Sequence, residues 1–434
     1  MASAFITMIT GFTEASVFLQ ERLPFFQKSG AAAYRPGLDK IRALLHALGN
    51  PQESFRAVHI GGTNGKGSCA HMTAAILHSA GYRTGLFTSP HLKSVTERFR
   101  IGGVPMSGQI FTEWVNKLMP LIDEWEPTYF EATVAMAFGY FRDMKVDVAV
   151  VEVGLGGRLD ATNIIRPLAC LITNIGHDHL DILGPGLKDV AGEKAGIIKS
   201  KVPVIIGERQ TGIDNVFQRA AAEVQASITF AEDLVEIKQQ KPSGCMSARV
   251  GSRTVELEPD LKGDYQIRNI RSVVALMEIL NNCGLSITDS DIREGIAHTT
   301  LLSGLRGRWQ QLATEPTVIC DTAHNPEGIA WVAAQALACT SGKVRWVIGL
   351  VADKDARKII HELPKEAQYY FCQAQSPRAL DAERLAALAA EAGLNGSVVR
   401  DVNQAVETAR NESDSDDLVL ICGSNYIVAE LHNL

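Results

Sequence analysis

Eight cysteines are spread over 434 residues, at positions 69, 170, 245, 283, 320, 339, 372 and 422, and no two of them form a CxxC pair. That spacing offers neither a disulfide framework nor a zinc site. Cysteines within apolar runs such as 168–172 and 418–422 read as buried thiols in a reducing compartment. Basic residues are in deficit: 42 against 49 acidic ones leave a net charge of −7. This excludes a general attraction to nucleic acid or to an anionic membrane, so any bound anion needs a local site. The apolar N-terminus MASAFITMITGF lacks a basic n-region, is broken by Thr and Gly, and soon meets Glu14; it reads neither as a signal peptide nor as a membrane span. Internal repeats and low-complexity tracts are also missing. What is present, 46% hydrophobic and 21% charged residues, is the composition of an ordinary globular protein. We expect a cytoplasmic enzyme. The length exceeds what one core usually serves and favours two or three domains of roughly 100 to 200 residues.

Strand and helix signals alternate along the first part. Apolar runs at Ala57–Ile60, Thr84–Thr88, Val146–Val151, Leu168–Asn174 and Val202–Ile206 read as strands, and Cys69–Ala80 as a helix closed by Gly81. Such alternation predicts an α/β fold with a mostly parallel sheet and helices on both faces. Residues 209–260 turn more polar and read as a short antiparallel extension. From Thr317 a second α/β unit begins, with runs at Thr317–Cys320, Arg345–Val351, Tyr369–Cys372, Ser397–Val399 and Leu418–Cys422 and a helical pattern at Arg378–Ala392. Turn residues and arginines at 298–308 mark the boundary, giving expected domains of 1–300 and 301–434.

The segment HIGGTNGKGSCAHM, His59–Met72, lies between a strand and a helix. It misses the Walker A spelling, because Ile60 stands at the first glycine position and Gly67 directly after the lysine. Physically it still suits phosphate. Backbone N–H groups and the positive helix end point at an anion there. Gly61, Gly62, Gly65 and Gly67 permit close approach, Lys66 reaches phosphate, and Ser68 offers a hydroxyl near Mg²⁺; the plainer reading is a glycine-rich turn with an incidental lysine. Glu152 ends a buried strand, where an open parallel sheet places its ligands. It is a Mg²⁺ ligand or a capping, salt-bridging residue. GHDHLD (176–181) matches no zinc signature, and EKAGIIK (193–199) reads by itself as a solvated charged helix. In the second unit, CDTAHNPEG places Asp321, His324 and Asn325 after a strand, although Asn-Pro is also an ordinary helix start. Arg306 and Arg308 in the linker meet a phosphate if the domains close, or are simply solvated. GSNY, 423–426, is one more helix start suited to an anion.

Taken in order, GTNGKGS, SPHL, ERFRI, YFEATVAMAF, VEVGLGGRLDATN, TNIGHDHLDILG, EKAGIIK, GRWQ and DTAHNP resemble the folylpolyglutamate synthase and dihydrofolate synthase family of Mur-type ATP-dependent amide ligases. The likeness runs from about residue 35 to the C-terminus, is dense over 57–207 and thins over 209–262. It implies a P-loop-type N-terminal domain and a smaller Rossmann-like C-terminal domain. The family's loop is itself spelled GTNGKG[ST], so Gly62, Thr63, Asn64, Gly65, Lys66, Gly67 and Ser68 become the ATP phosphate loop. Ser89, Glu152 and His179 become Mg²⁺ ligands, and Lys194 the carbamylated lysine whose acquired carboxylate helps hold a second Mg²⁺. Asn269, Arg308 and Asp321 match nucleotide contacts; Thr128, Leu159, Asp160 and Ala161 match the pterin pocket; His324 is a further catalytic candidate. Tyr265 departs from the family, which often has histidine before the glutamine of GDYQIRN.

The resemblance implies ATP and two Mg²⁺ sites, with a monovalent cation as an additional candidate, and dihydropteroate or a reduced folate and L-glutamate as substrates. It also implies a monomer. ATP would phosphorylate the acid's carboxylate, and glutamate's α-amino group would attack the acyl phosphate. Two alternatives stand beside this expectation: another Mur-type amino-acid ligase, and a noncatalytic nucleotide-binding switch.

Overall fold

Short, continuous apolar runs become the strands of two separate sheets in the computed structural model, which describes residues 8–240 and 244–434. The first seven residues of the apolar N-terminal stretch, and residues 241–243 of the polar β region, lie outside the described residues. The first sheet contains β1 (Arg56–Gly61), β2 (Thr84–Phe87), β3 (Phe99–Ile101), β4 (Val104–Pro105), β5 (Val148–Glu152), β6 (Ala169–Ile172), β7 (Val204–Ile206) and β8 (Ile228–Phe230). Their order is β4-β3-β2-β5-β1-β6-β7-β8. From β2 to β8 the neighbours are parallel, while β3 and β4 form an antiparallel edge.

Period-two alternation divides this sheet between two cores. Ala57, Phe87, Ala149 and Val151 face the helices Gly108–Trp125 and Tyr129–Asp143. Val58, Ile60, Leu86, Val148 and Val150 face the helices Lys66–Ser79 and Gln266–Asn282. Burial on both faces explains why these strands are continuously apolar. Three more strands, β9 (Val235–Gln240), β10 (Cys245–Val250) and β11 (Arg253–Leu257), make the antiparallel extension.

The second sheet is built from β12 (Gln310–Thr314), β13 (Thr317–Cys320), β14 (Val344–Ile348), β15 (Gln368–Phe371), β16 (Asn395–Val398) and β17 (Leu418–Cys422), in the order β12-β13-β17-β14-β15-β16. All pairs are parallel except β12 with β13. Its core holds Trp346 and Tyr369 with ring centroids 6.2 Å apart, and Tyr369 and Phe371 at 5.8 Å. The smaller C-terminal unit is thus a Rossmann-like α/β sheet. Strand β12 escapes a periodicity reading because QQLAT is polar and sits at an edge with a register shift. One cysteine corrects the expectation of buried thiols: Cys69, Cys170, Cys320, Cys372 and Cys422 are buried, but Cys339 is exposed.

Candidate active site

Strand order decides which loops meet. Because β1 lies between β5 and β6, with β2 beyond β5, the segments leaving their carboxyl ends converge on one side of the sheet. There a cavity of about 470 Å³ opens between the two α/β units. The site residues that the resemblance implied all line it: Gly62 to Ser68, Ser89, Thr128, Glu152, Leu159, Asp160, Ala161, His179, Lys194, Asn269, Arg308, Asp321 and His324. Gly61, Arg306 and Asn325 do not, and Arg306 pairs instead with Glu97 at 2.7 Å.

The glycine-rich loop is fixed by backbone geometry. Gly62 has φ +135° and Gly65 φ +85°; a Cβ on the first would overlap Thr173 Oγ1, and one on the second would overlap Asn269 Oδ1. Thr63 N donates to Asn174 O at 2.8 Å, and Asn64 N to Asn174 Oδ1 at 2.9 Å. Thr173 Oγ1 in turn donates to Asn64 O at 2.6 Å. No side chain caps the 14-residue helix Lys66–Ser79. Its first N–H groups and dipole therefore remain available to an anion.

Charged side chains surround that helix end. Lys66 Nζ donates to Thr63 O at 3.0 Å. Glu152, 4% exposed, accepts from Ser89 N at 3.1 Å. Burial raises its carboxyl pKa, against the opposing pull of Lys66, the Ser89 N–H, Arg308 and Arg98. Lys194 Nζ donates to Gly62 O at 2.8 Å, and burial, helped by Lys66, brings its ammonium down to about 7. A neutral amine is therefore accessible near neutrality. His179, in left-handed backbone at φ 52°, is held down to about 3 by burial, so its ring is neutral, the form able to ligate a metal.

The residues at the other end of the cavity carry local structural work as well. Thr128 caps the helix Tyr129–Asp143 in a capping box with Glu131. Asp160 is buried, accepting from Leu155 N at 2.8 Å and Thr162 N at 2.9 Å. Around them Phe25, Phe26, Tyr34, Tyr129, Phe130 and Leu183 make this end of the cavity aromatic and apolar.

The second unit closes the cavity from the far side. Asp321 Oδ2 accepts from Trp309 N at 2.7 Å and from Tyr265 Oη at 2.6 Å. Tyr265, the departure from the family pattern, thus bonds across to the other unit. Asn325 Nδ2 donates to Asn64 Oδ1 at 2.9 Å, and His177 N donates to Glu327 Oε1 at 3.0 Å. His324 Nδ1 lies 2.9 Å from Thr322 O and its Nε2 lies 3.5 Å from Asp178 Oδ2. Lys354 also pairs with Asp178. Burial opposes ionisation of Asp178, yet His324, His179 and Lys354 hold its pKa well below the usual carboxylate value. Arg98, Thr173, Asn174, Glu327 and Lys354 are the lining or bracing residues that sequence reasoning missed.

Among the described residues no group of three His, Cys, Asp or Glu side chains forms a metal cage. Mg²⁺ needs no such cage, since it takes one or two carboxylates and completes its shell with water and phosphate oxygens.

Comparison with known proteins identifies the family. Residues 60–277 match the Mur ligase middle domain, and 307–425 match the Mur ligase glutamate ligase domain. The fold and site are those of an ATP-dependent Mur-type ligase. The Bacillus subtilis dihydrofolate synthase/folylpolyglutamate synthase is 32% identical over 438 residues, covering 98% of this chain and 99% of its own. Escherichia coli FolC, solved with DHPP and ADP, superposes with a TM-score of 0.86 at 29% identity, covering 97% of both chains. A bifunctional folylpolyglutamate synthase/dihydrofolate synthase with Mn, AMPPNP and L-glutamate bound gives 0.84 at 28% identity, again over 97% of both. The chain belongs to the dihydrofolate synthase/folylpolyglutamate synthase family.

Proposed function

We propose that this enzyme uses ATP to join L-glutamate to dihydropteroate, to folates, or to both, through an acyl phosphate. The observation that carries this reading is one cavity with two chemically different ends. One end has an uncapped helix N-terminus flanked by Lys66, Glu152 and Lys194, and the other is aromatic around the buried Asp160. We assign residues 1–300 to the ATPase and substrate-binding domain and 301–434 to the C-terminal ligase domain.

In the first step an oxygen of the acid's carboxylate attacks the γ-phosphorus of ATP, and ADP leaves. Gly62 to Ser68 cradle the phosphates with backbone N–H groups, and Asn269, Arg308 and Asp321 hold the rest of the nucleotide. Lys66 neutralises charge on the phosphoryl group in transit, which is the main catalytic demand of such transfers. Ser89, Glu152 and His179, with carbamylated Lys194, would hold Mg²⁺, which supplies further charge neutralisation when bound. Carbamylation suits Lys194 because it is buried, reaches neutrality near pH 7, and as a cation would repel a metal. Thr128, Leu159, Asp160 and Ala161 bind the pterin end.

In the second step glutamate's α-amino nitrogen attacks the acyl carbon, phosphate leaves, and the nitrogen loses a proton. We assign His324 to take that proton. With Nδ1–H donated to Thr322 O, its Nε2 is an acceptor, and Asp178 stabilises the imidazolium that forms. Contacts between the two units, such as Asn325 with Asn64, exclude the water that would hydrolyse the intermediate. No helix among the described residues is long and apolar enough to cross a membrane. We assign a monomer acting in the cytoplasm on small molecules, without nucleic acid.

The test is purified enzyme with ATP, Mg²⁺ and glutamate plus either dihydropteroate or tetrahydrofolate, with products resolved by mass. A product heavier by one glutamyl unit is expected from at least one acid. ATP turnover with neither conjugate formed would overturn the reading.

A further inference from the structure

Arg98 has no role in the account so far, yet its environment demands one. It ends the 3-10 turn Val95–Arg98, is 3% exposed, and lines the cavity. Its Nε donates to His91 Nδ1 at 2.9 Å and its Nη2 to Gln27 Oε1 at 2.6 Å, both neutral acceptors. The guanidinium carbon sits 5.6 Å from the centroid of the Tyr129 ring. The adjacent carboxylate does not serve it. Glu97 is committed to Leu92 N, Lys93 N and Ser94 N and to a salt bridge with Arg306 at 2.7 Å. Nη1 makes no hydrogen bond to any described residue and is not among the sealed polar atoms.

A guanidinium stays charged in proteins, and a buried charge without a partner is costly. A ligand that brings a carboxylate removes that cost, because the planar fork matches two carboxylate oxygens. Strand order says which ligand. Glu152 leaves β5, which lies between β1 with its phosphate loop and β2, whose continuation leads to Arg98. Arg98 therefore stands across Glu152 from the phosphate loop, beside Tyr129 and Gln27 at the aromatic end. Resting on the ligase reading above, we infer that Arg98 binds the reacting carboxylate of the acid substrate and orients it for attack on the γ-phosphorus.

The test compares binding of pteroate with binding of its carboxamide, by calorimetry, to the full chain saturated with Mg·AMPPNP. Wild type is expected to favour the acid by about 10- to 100-fold, the scale of a charge-assisted hydrogen bond in a buried site. Arg98→Met, which removes the charge but keeps most of the volume, is expected to bind acid and amide equally while its nucleotide affinity is unchanged. Arg98→Lys, with charge but no fork, is expected to fall between, and it decides the matter if Arg98→Met fails to bind nucleotide. Discrimination at wild-type level in either variant would overturn the assignment. A wild-type enzyme that ligates glutamate yet binds acid and amide alike overturns the role of Arg98 alone; one that binds neither and forms no conjugate overturns the ligase reading beneath it.

Discussion

Two groups of buried charges are treated in opposite ways by this fold. In the C-terminal sheet, Arg345 and Asp417 are 8% and 3% exposed and meet at 2.8 Å; Tyr370 Oη accepts from Arg345 at 3.1 Å, and Lys343 N donates to Asp417 at 2.7 Å. That constellation is charge-paired, and Tyr370 Oη donates on to the exposed Glu412 at 2.6 Å. In the cleft, Arg98, Glu152 and Lys194 are equally buried, but none has an opposite charge in salt-bridge contact among the described residues. Paired buried charges hold a structure together, whereas buried charges left without partners form a seat for something else. Here the seat carries Lys66, Arg98 and Arg308 around Glu152, cations that polyphosphate and carboxylate ligands complement.

The contrast can be broken most strongly at Lys66. Lys66→Ala should lower conjugate formation by at least about a hundredfold, since it removes the cation beside the phosphoryl group, while far-ultraviolet circular dichroism stays unchanged. Near-normal rates would sink its role. Lys194→Ala should lose activity by about 10- to 100-fold and regain part of it with formate or acetate, small carboxylates that replace the carbamate; full activity without them would contradict the metal-holding role. In the paired constellation the expected loss is in stability instead. Asp417→Ala should cost about 1–3 kcal/mol in denaturant unfolding, because it removes the main partner of a buried guanidinium that keeps only Tyr370 and the more distant Glu412. Burial opposes ionisation of Asp417, but the Lys343 N–H and Arg345 outweigh it and depress its pKa below 3.8. The stabilisation is therefore present above that value and lost as pH falls through the lower folded value, so the deficit of Asp417→Asn should shrink in acid. The smallest effect is expected at Tyr265. Tyr265→Phe removes one donor to Asp321, and steady-state kinetics should register about a fivefold rise in the nucleotide KM, equivalent to about 1 kcal/mol.

The same contrast explains what the sequence could disclose. The central strands and the helix Lys66–Ser79 were legible because apolar runs, glycines and a lysine sit within a few residues of one another. The position of Glu152 followed from its place at the end of a buried run. The edge strands β3, β4 and β12 were not legible, being short or polar, with pairing decided by neighbours. Within the site, the resemblance named the cavity-lining residues, while sequence physics alone left EKAGIIK as a solvated helix; burial of Lys194 depends on Gly62, 132 positions away. Asn325 meets Asn64 across 261 positions, and no local pattern encodes that. Arg98 stayed hidden inside ERFRI because what distinguishes it is a missing partner, which only a complete set of neighbours reveals.

The most direct measurement is the rise in melting temperature caused by Mg·AMPPNP, taken for wild type, Lys66→Met and Arg345→Met. Lys66→Met should melt at or above the wild-type temperature without nucleotide and lose most of the nucleotide-induced rise. Arg345→Met should melt several degrees lower, with that rise intact. If instead Lys66→Met is the variant that melts low without ligand, or Arg345→Met the one that loses the nucleotide response, the division between ligand-seating and structure-holding charges is wrong.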